Sequence, residues 1–233
     1  MPPSSLKLDR SSSVYSRLRD AVIRGRIAPG MRVVEAEIAE RVGVSRTPAR
    51  EAIQRLFQEG FLTSTGTPRR TELVVAPLTS ADMWDLYLTM ASLEGSSALA
   101  IGELEPAALK ELARDLRELE AEFERAARER PPDYDKVFDL HNRFHSRLVG
   151  VAQRPRLQSI IASVRPLVDR YEWVYAPMVG PDYSATFAEH AEIIQAVRDG
   201  SAKRAQQAVV ANWEQGAARL ARVIDKAGAR GEW

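Results

Sequence analysis

The sequence of 233 residues contains no cysteine, which excludes disulfides, thiolate metal ligands and cysteine nucleophiles. It also lacks any apolar run near the roughly 20 residues that a helix needs to cross a bilayer. The N-terminus has no hydrophobic core of the secretory type. We therefore expect no membrane partner, and a cytoplasmic location is the simplest interpretation. Histidine is scarce, with three in the whole chain.

The chain also has no large excess of charge of either sign, since its net charge is +1. The charged residues are, however, unevenly distributed along the sequence. Residues 1–78 hold 13 Lys and Arg against 8 Asp and Glu, whereas residues 79–233 hold 20 against 24. A basic first third and a mildly acidic remainder indicate that only the first part binds a polyanion. The length is sufficient for one large or two modest domains, each with its own core.

The most informative segment covers residues 43–57. Gly43 permits a turn, Ser45 can cap a helix, and Pro48 is tolerated in the first helical turn. The apolar residues of this helix fall on one side, and they are Ala49, Ala52, Ile53, Leu56 and Phe57. Another side carries Arg46, Arg50 and Gln54, four residues apart. A short helix precedes this one, and the arrangement is typical of DNA major-groove recognition.

The first third of the chain predicts a winged helix-turn-helix domain over residues 11–78. Residues 1–10 are expected to form a flexible tail. Helices are expected near 11–24, 35–42 and 45–60. Two strands, at 61–64 and 72–76, would then flank a loop that contains turn residues and two arginines.

The remainder is helical in pattern, which predicts an all-α antiparallel bundle over residues 79–228 and a short tail at 229–233. The predicted helices lie near 80–102, 106–130, 133–150, 154–176, 182–199 and 201–227. One apolar stripe with intervals of three and four residues comprises Leu109, Leu112, Leu116, Leu119 and Phe123. This stripe indicates bundle core, and a dimer seam is the alternative. The fold class is therefore mainly α.

Residues 35–53, with Leu56 and the Gly60-Phe61-Leu62 segment, resemble the GntR family of bacterial transcriptional regulators. The sequence Val-Ser-Arg-Thr-Pro-x-Arg-Glu-Ala at residues 44–52 is highly specific for that family. The resemblance covers about residues 11–78. It implies sequence-specific binding to double-stranded DNA.

The resemblance assigns roles to the start of the third helix. Ser45, Thr47 and the backbone of Arg46 would hold phosphates, because the helix dipole and unpaired N–H groups favour anions there. Arg46 and Arg50 would reach base edges, since a guanidinium can pair with both acceptors of a guanine. The alternative is that both arginines are ordinary solvated or salt-bridged helix residues.

The resemblance also implies which residues of the hairpin, and of the predicted helix at 35–42, contact DNA. Thr65 and Gly66 stand where the wing tip of the family approaches the minor groove. Arg69 is expected to contact a phosphate. Ala36 stands where some relatives have a DNA-contacting arginine, so that contact is absent and the operator can differ.

The three histidines are His141, His145 and His190. His141 and His145 are four residues apart on one predicted helix, so they lie on one face and can bind one ion together. The alternative is a pair that is partly exposed or satisfied by hydrogen bonds.

Residues 80–225 resemble the ligand-binding domain of the FadR-like branch of the GntR family, called FCD. The resemblance is carried by Asp85-Leu86-Tyr87, Leu93-Glu94-Gly95, Phe144-His145 with Leu148, and Glu189-His190 with Ile194, Ala196, Asp199-Gly200 and Ala205. In many members an Asp and a His on one helix, with two His from later helices, hold a divalent metal inside the bundle. That metal helps to bind a carboxylate effector.

Two positions depart from this pattern. His145 and His190 match it, but His141 stands where the Asp is usual and Asn212 where the last His is usual. Three imidazoles with an amide or water suit Zn²⁺ or Ni²⁺, and the loss of a carboxylate disfavours Mn²⁺ or Mg²⁺. Otherwise these side chains line a polar ligand pocket or are hydrogen-bonded core groups.

A third departure concerns the effector. Met90 stands where many relatives have an arginine that binds the effector carboxylate, so it is expected to be an apolar lining residue of the effector site. Arg143, Arg147 and Arg165 are candidate substitutes for that arginine. Each could equally be a surface charge.

Together these features predict a homodimeric transcriptional regulator, with repression as the more common mode. Two copies are expected because one recognition helix reads few base pairs, whereas the paired half-sites of a palindromic operator multiply specificity. A small metabolite, an organic acid or a related compound, would bind the bundle and change operator affinity. One alternative is a ligand-independent DNA-binding protein with a structural bundle. The other is a metal-dependent enzyme, which we do not expect because no general-base motif, nucleophile elbow or phosphate loop is recognisable.

Overall fold

The structure is a computed structural model that describes residues 5–67, 70–179 and 183–231. The chain divides into two compact units. The first comprises Met1–Thr79, Asp169–Val174 and Gly228–Trp233, and the second comprises Ser80–Val168 and Tyr175–Ala227. The helices and strands of the chain are α1 (Ser5–Ile23), α2 (Glu35–Val42), α3 (Arg46–Gln58), β1 (Leu62–Thr67), β2 (Arg70–Val75), α4 (Ser80–Ala98), α5 (Pro106–Arg128), α6 (Tyr134–Val149), α7 (Pro155–Val179), α8 (Ser184–Arg198) and α9 (Ala202–Ala227).

In the first unit, α1, α2 and α3 bury apolar residues spaced by three or four positions. The buried residues of these helices include Val14, Leu18, Val22, Ile38, Ala39, Ala49, Ala52, Ile53 and Leu56. Gly43 ends α2 with φ of 73°, a left-handed conformation that glycine adopts without steric cost. Phe57, which the sequence analysis places on the apolar side of α3, is instead 44% exposed because it lies at the margin of the buried stripe.

The hairpin is longer than the sequence analysis predicts. β1 and β2 pair antiparallel, with Thr65 opposite Glu72 and Gly66 opposite Thr71. Residues assigned to the loop are therefore paired strand, because threonines favour extended backbone and Gly66 adopts φ of 105° without strain.

Two helix boundaries also differ from the predictions. α1 already includes residues 5–10, which the sequence analysis assigns to a tail, because no glycine or proline interrupts residues 5–24. α7 continues past the predicted break at Pro177 and ends at Val179. A proline removes a single backbone donor, so a helix can extend slightly beyond it.

The regular secondary structure in the described residues of the second unit is helical, and it includes short 3-10 helices at Leu99–Glu103 and Gly150–Ala152. α4 packs against α9, while α5 packs against α6 and α8. Leu112, Leu116 and Phe123 of the predicted stripe are buried, as expected for bundle core. The predicted winged helix-turn-helix followed by an all-helical bundle is confirmed. None of the helices in the described part of the chain is long and apolar enough to cross a membrane.

Candidate functional site

The N-terminus of α3 is open to solvent. Ser45 occupies the N-cap position with φ of −72° and ψ of 163°, but its side chain makes no capping hydrogen bond, in contrast to the capping role considered from the sequence. Arg46 and Thr47 are exposed beside it. This end of α3 therefore presents a hydroxyl pair, backbone N–H groups and a guanidinium to solvent, which suits a phosphate or a base edge.

Arg50 is exposed but not solitary, since its side chain forms two hydrogen bonds with Glu35 at the start of α2. Nε of Arg50 donates to Oε2 of Glu35 at 2.9 Å, and Nη2 donates to Oε1 at 3.1 Å. These hydrogen bonds hold the pKa of Glu35 below its ordinary value. Glu35 thus fixes the orientation of the guanidinium in the DNA-free protein, and sequence spacing alone could not show this pair because its members lie on different helices.

The wing residues Thr65 and Gly66 are exposed near the end of β1. They belong to the paired hairpin, so any DNA contact they make would come from strand backbone and side chain. Arg69 lies outside the described residues, and its predicted phosphate contact stays a prediction.

The bundle brings the three histidines together. His141 and His145 lie one turn apart on α6, and their ring centroids are 4.8 Å apart. The ring of His190, on α8, lies 5.4 Å from that of His141 and 5.7 Å from that of His145. One ligand atom from each of the three lies within 4.8 Å of the others. We call these three residues the histidine cluster.

Two carboxylates, that of the buried Glu94 and that of the half-buried Glu120, are paired with His145 and His190. Nδ1 of His145 lies 2.7 Å from Oε2 of Glu94, and Nδ1 of His190 lies 2.6 Å from Oε2 of Glu120. If each Nδ1–H donates to its carboxylate, Nε2 keeps its lone pair. Nε2 of both rings is buried and has no hydrogen-bond partner among the described residues. A metal-binding histidine has this arrangement, in which an outer carboxylate sets the tautomer and makes the ring a stronger donor.

Burial favours the neutral, metal-binding form of His141 and His190. Burial lowers the pKa of His141 well below its ordinary value of 6.5, and the neighbouring histidines lower it further. Burial also lowers the pKa of His190, although Glu120 opposes this change. For Glu94, burial raises the pKa, but the interactions with His145, Arg165 and Trp213 outweigh it and the net pKa is lowered. Neutral imidazoles at His141 and His190, and an ionised carboxylate at Glu94, are therefore the expected state near pH 7.

Asn212, the fourth predicted ligand, is buried on α9. Its amide nitrogen donates to Oε2 of Glu189 at 2.9 Å. Arg219 also donates to both oxygens of Glu189. Glu189, the residue before His190, therefore orients the Asn212 amide. A metal contact of the Asn212 oxygen stays a prediction.

The predicted effector residues divide into two groups. Met90 is fully buried on α4, one turn before Glu94, and its place in an effector site stays a prediction. Arg143 is 54% exposed and pairs with Asp139, and Arg147 pairs with Asp115 of α5. The structure does not place these two arginines with the histidine cluster. At 100° per residue, positions 143 and 147 point to the side of α6 opposite His141 and His145.

A winged helix-turn-helix with a solvent-facing arginine helix, joined to a helical bundle, defines a DNA-binding transcriptional regulator. The family model "Bacterial regulatory proteins, gntR family" matches residues 10–67, and the model "FCD domain" matches residues 85–215. The second match covers more than half of the chain. The chain therefore belongs to the GntR family of bacterial regulatory proteins and carries an FCD domain.

Curated relatives agree with this assignment. The chain is 34% identical over 147 residues to the Nta operon transcriptional regulator of Aminobacter aminovorans. The aligned residues are 63% of this chain and 65% of that regulator. It is 27% identical over 195 residues to the HTH-type transcriptional repressor RspR of Escherichia coli K12, covering 82% and 81% of the two chains. These relatives are regulators, which confirms the expectation that the chain is not an enzyme.

A solved structure supports the fold. A transcriptional regulator of the GntR type from Rhodococcus sp. RHA1 superposes with a TM-score of 0.68 at 24% identity, over 91% of this chain and 97% of that one.

Proposed function

We propose that this chain is a homodimeric cytoplasmic repressor whose affinity for a palindromic operator changes when a small organic acid binds the bundle with the help of a divalent metal. Residues 11–78 would bind DNA, and residues 79–228 would bind the effector and form the dimer. The observation that carries the proposal is the pair of buried, unbonded Nε2 atoms of His145 and His190 beside the third imidazole. Repression is supported by the relative RspR, which is named as a transcriptional repressor.

The donor set favours zinc or nickel within this proposal. Imidazole nitrogens suit these ions, whereas Mn²⁺ and Mg²⁺ prefer oxygen ligands. His141, His145 and His190 would hold the ion, and Asn212 would complete the site only if its oxygen turns toward it. A bound ion would act as a Lewis acid toward an effector carboxylate. Glu94 and Glu120 supply the negative charge that the site lacks where relatives have an aspartate, although they supply it from behind the rings.

The direct test measures operator binding. An operator would first be selected from random duplex DNA with the purified protein, and its affinity then measured with and without zinc and a panel of organic acids. We expect at least one acid to change the affinity about tenfold, which corresponds to a coupling free energy of about 1.4 kcal/mol. Unchanged affinity across the panel, with and without zinc, would favour a bundle that is purely structural.

Glu120→Gln should weaken zinc binding about 10- to 100-fold, because the amide still accepts a hydrogen bond from His190 but no longer carries charge. Zinc affinity would be measured by competition with a chelator of known affinity. The matched control is Glu122→Gln, an exposed carboxylate on the same helix, which should leave the affinity unchanged. Equal affinities for the two variants would contradict a role for Glu120.

The metal-free protein should lose stability as the pH falls below 6.5. The pKa values of His141 and His190 are lowered in the folded state, so the unfolded chain binds more protons below 6.5. The free energy of unfolding is therefore at its full value above pH 6.5 and decreases toward the folded pKa, by at most about 1.4 kcal/mol per pH unit for each group. Urea unfolding between pH 7.5 and 5.5 would measure it. His141→Gln should give a shallower slope, and identical slopes would contradict the assignment.

A further inference from the structure

The segment that follows α9 pairs with the connector between β2 and α4. The sequence analysis assigns residues 229–233 to a short tail, but residues 228–231 belong to the first compact unit, whereas α9 itself belongs to the second. The backbone N–H of Leu78 donates to the carbonyl of Arg230 at 2.9 Å, and the N–H of Arg230 donates to the carbonyl of Leu78 at 3.1 Å. Leu78 is fully buried in the connector. We call residues 228–231 the clip.

A close contact between two glycines fixes the clip against the first unit. A Cβ atom on Gly231 would lie 2.5 Å from the backbone nitrogen of Gly30, and a Cβ atom on Gly30 would lie 2.7 Å from the Cα atom of Gly231. Both glycines also have positive φ, 82° at Gly231 and 77° at Gly30. Two backbones can approach this closely only where neither residue has a side chain. A larger residue at either position must therefore displace the clip or the turn at Gly30.

The clip contacts the part of the first unit that supports the wing. The N–H of Gly30 donates to the carbonyl of Val75 at 2.9 Å, and Val75 is the last residue of β2. β2 pairs with β1, which carries the predicted wing residues Thr65 and Gly66. The clip therefore holds two parts of the DNA-binding unit, the connector at Leu78 and the turn that is bonded to β2.

α9, which leads into the clip, also lies beside the histidine cluster. Nε1 of Trp213, on α9, donates to Oε2 of Glu94 at 2.9 Å, and the Trp213 ring lies 5.3 Å from the ring of His145. Continuous helix joins Trp213 to Ala227, over a length of about 21 Å at 1.5 Å per residue. Rigid secondary elements of this kind carry coupling between distant sites, so a displacement of Trp213 also displaces the start of the clip.

We propose that the clip transmits changes at the histidine cluster to the DNA-binding unit and so changes operator affinity. A ligand that enters beside His145 displaces Trp213, because buried side chains are closely packed and leave little free space. α9 then shifts along its length, and the clip moves the connector and the turn at Gly30 with it. This inference rests on the proposed function in one respect, namely that the bundle regulates DNA binding. It requires no particular metal or effector.

A double-mutant cycle in the full chain tests this proposal. Trp213→Phe removes the hydrogen bond to Glu94 beside the histidine cluster, and Gly231→Ala displaces the clip. We expect Trp213→Phe to change the affinity for the selected operator about fivefold or more in the parent protein. In the Gly231→Ala background the same substitution should change it less than about twofold. The second readout is amide exchange of Leu78, which Trp213→Phe should accelerate in the parent but not further in Gly231→Ala.

The matched control is Gly228→Ala. Gly228 has φ of 80°, so alanine there introduces comparable backbone strain, but no atom of the described residues lies within 4 Å of the added Cβ. Gly228→Ala should therefore keep the response to Trp213→Phe. Gly30→Ala introduces the close contact from the other side and should abolish the response as Gly231→Ala does. The melting temperature of each variant verifies that it is folded.

The proposal is wrong if Trp213→Phe has equal effects in the parent and in folded Gly231→Ala, or if it changes neither readout in the parent. The proposed function is judged separately, because the cycle uses no metal and amide exchange needs no operator. If the protein binds zinc but the cycle shows no coupling, the metal site stands and the clip does not transmit. If it binds no zinc, yet the response depends on the clip, the transmission stands and the metal-assisted function is wrong.

Discussion

Replacing both His145 and His190 by alanine should remove bound metal from the protein. The two imidazoles supply the buried Nε2 atoms that have no other partner, and His141 alone cannot replace a set of three ligands. After loading with zinc and gel filtration, we expect about one ion per chain in the parent protein and none above background in the double variant. Elemental analysis of the two samples measures this directly.

Alanine also leaves cavities at two buried positions, and loss of a large core side chain can cost about 2–5 kcal/mol. The double variant His145→Gln with His190→Gln keeps more volume and should lose the metal in the same way. Melting temperature would verify that each variant is folded. Absence of metal from the zinc-loaded parent would contradict the site, as would full occupancy in a folded double variant.

The same substitutions separate the two roles of the chain. Because the histidine cluster lies in the second unit and α3 in the first, operator binding of the metal-free variant should persist. What should disappear is its response to organic acids. A folded variant that loses DNA binding altogether would show that the metal is needed for assembly and not only for the response.

The sequence alone predicts the histidine cluster well, and the reason is local. His141 and His145 share a face because of their spacing, and the family resemblance adds His190 from another helix. The helix boundaries follow from prolines, glycines and apolar periodicity, which act within a few residues. The errors there are small, at Ser5 and Val179.

The groups that orient the histidine cluster could not be predicted in this way. Glu94 and Glu120 lie 51 and 70 residues from their histidines, and no short-range pattern connects them. Both α4 and α5 bury apolar residues near these positions. A single glutamate on the apolar face of each helix was therefore the only indication in the sequence that these carboxylates have a buried partner. A buried carboxylate requires a partner, and that requirement indicates a functional role.

Arg143 and Arg147 were predicted to bind the effector, and for these two residues the helical spacing in the sequence already disfavours that prediction. Positions two residues after His141 and His145 lie about 200° away around the helix axis. The side chains accordingly reach Asp139 and Asp115.

Arg50→Ala should weaken operator binding by about 1–3 kcal/mol and relax base preference at one position in each half-site. The side chain is exposed on α3 and Glu35 holds its guanidinium in a fixed orientation, which reduces the conformational entropy lost on reading a base. Selection from a randomised operator, followed by titration of individual variants, would measure both effects. The control is Arg17→Ala, which removes the same charge from an exposed position on α1 rather than on α3.

Glu35→Gln distinguishes orientation from charge at this interface. Removing the carboxylate reduces repulsion from phosphates, so affinity for nonspecific DNA should rise. Discrimination at the position that Arg50 reads should nevertheless fall, because the guanidinium loses the partner that aims it. If Arg50→Ala instead weakens binding uniformly across all operator sequences, and Glu35→Gln leaves discrimination intact, Arg50 contacts a phosphate and base reading must be assigned to Arg46.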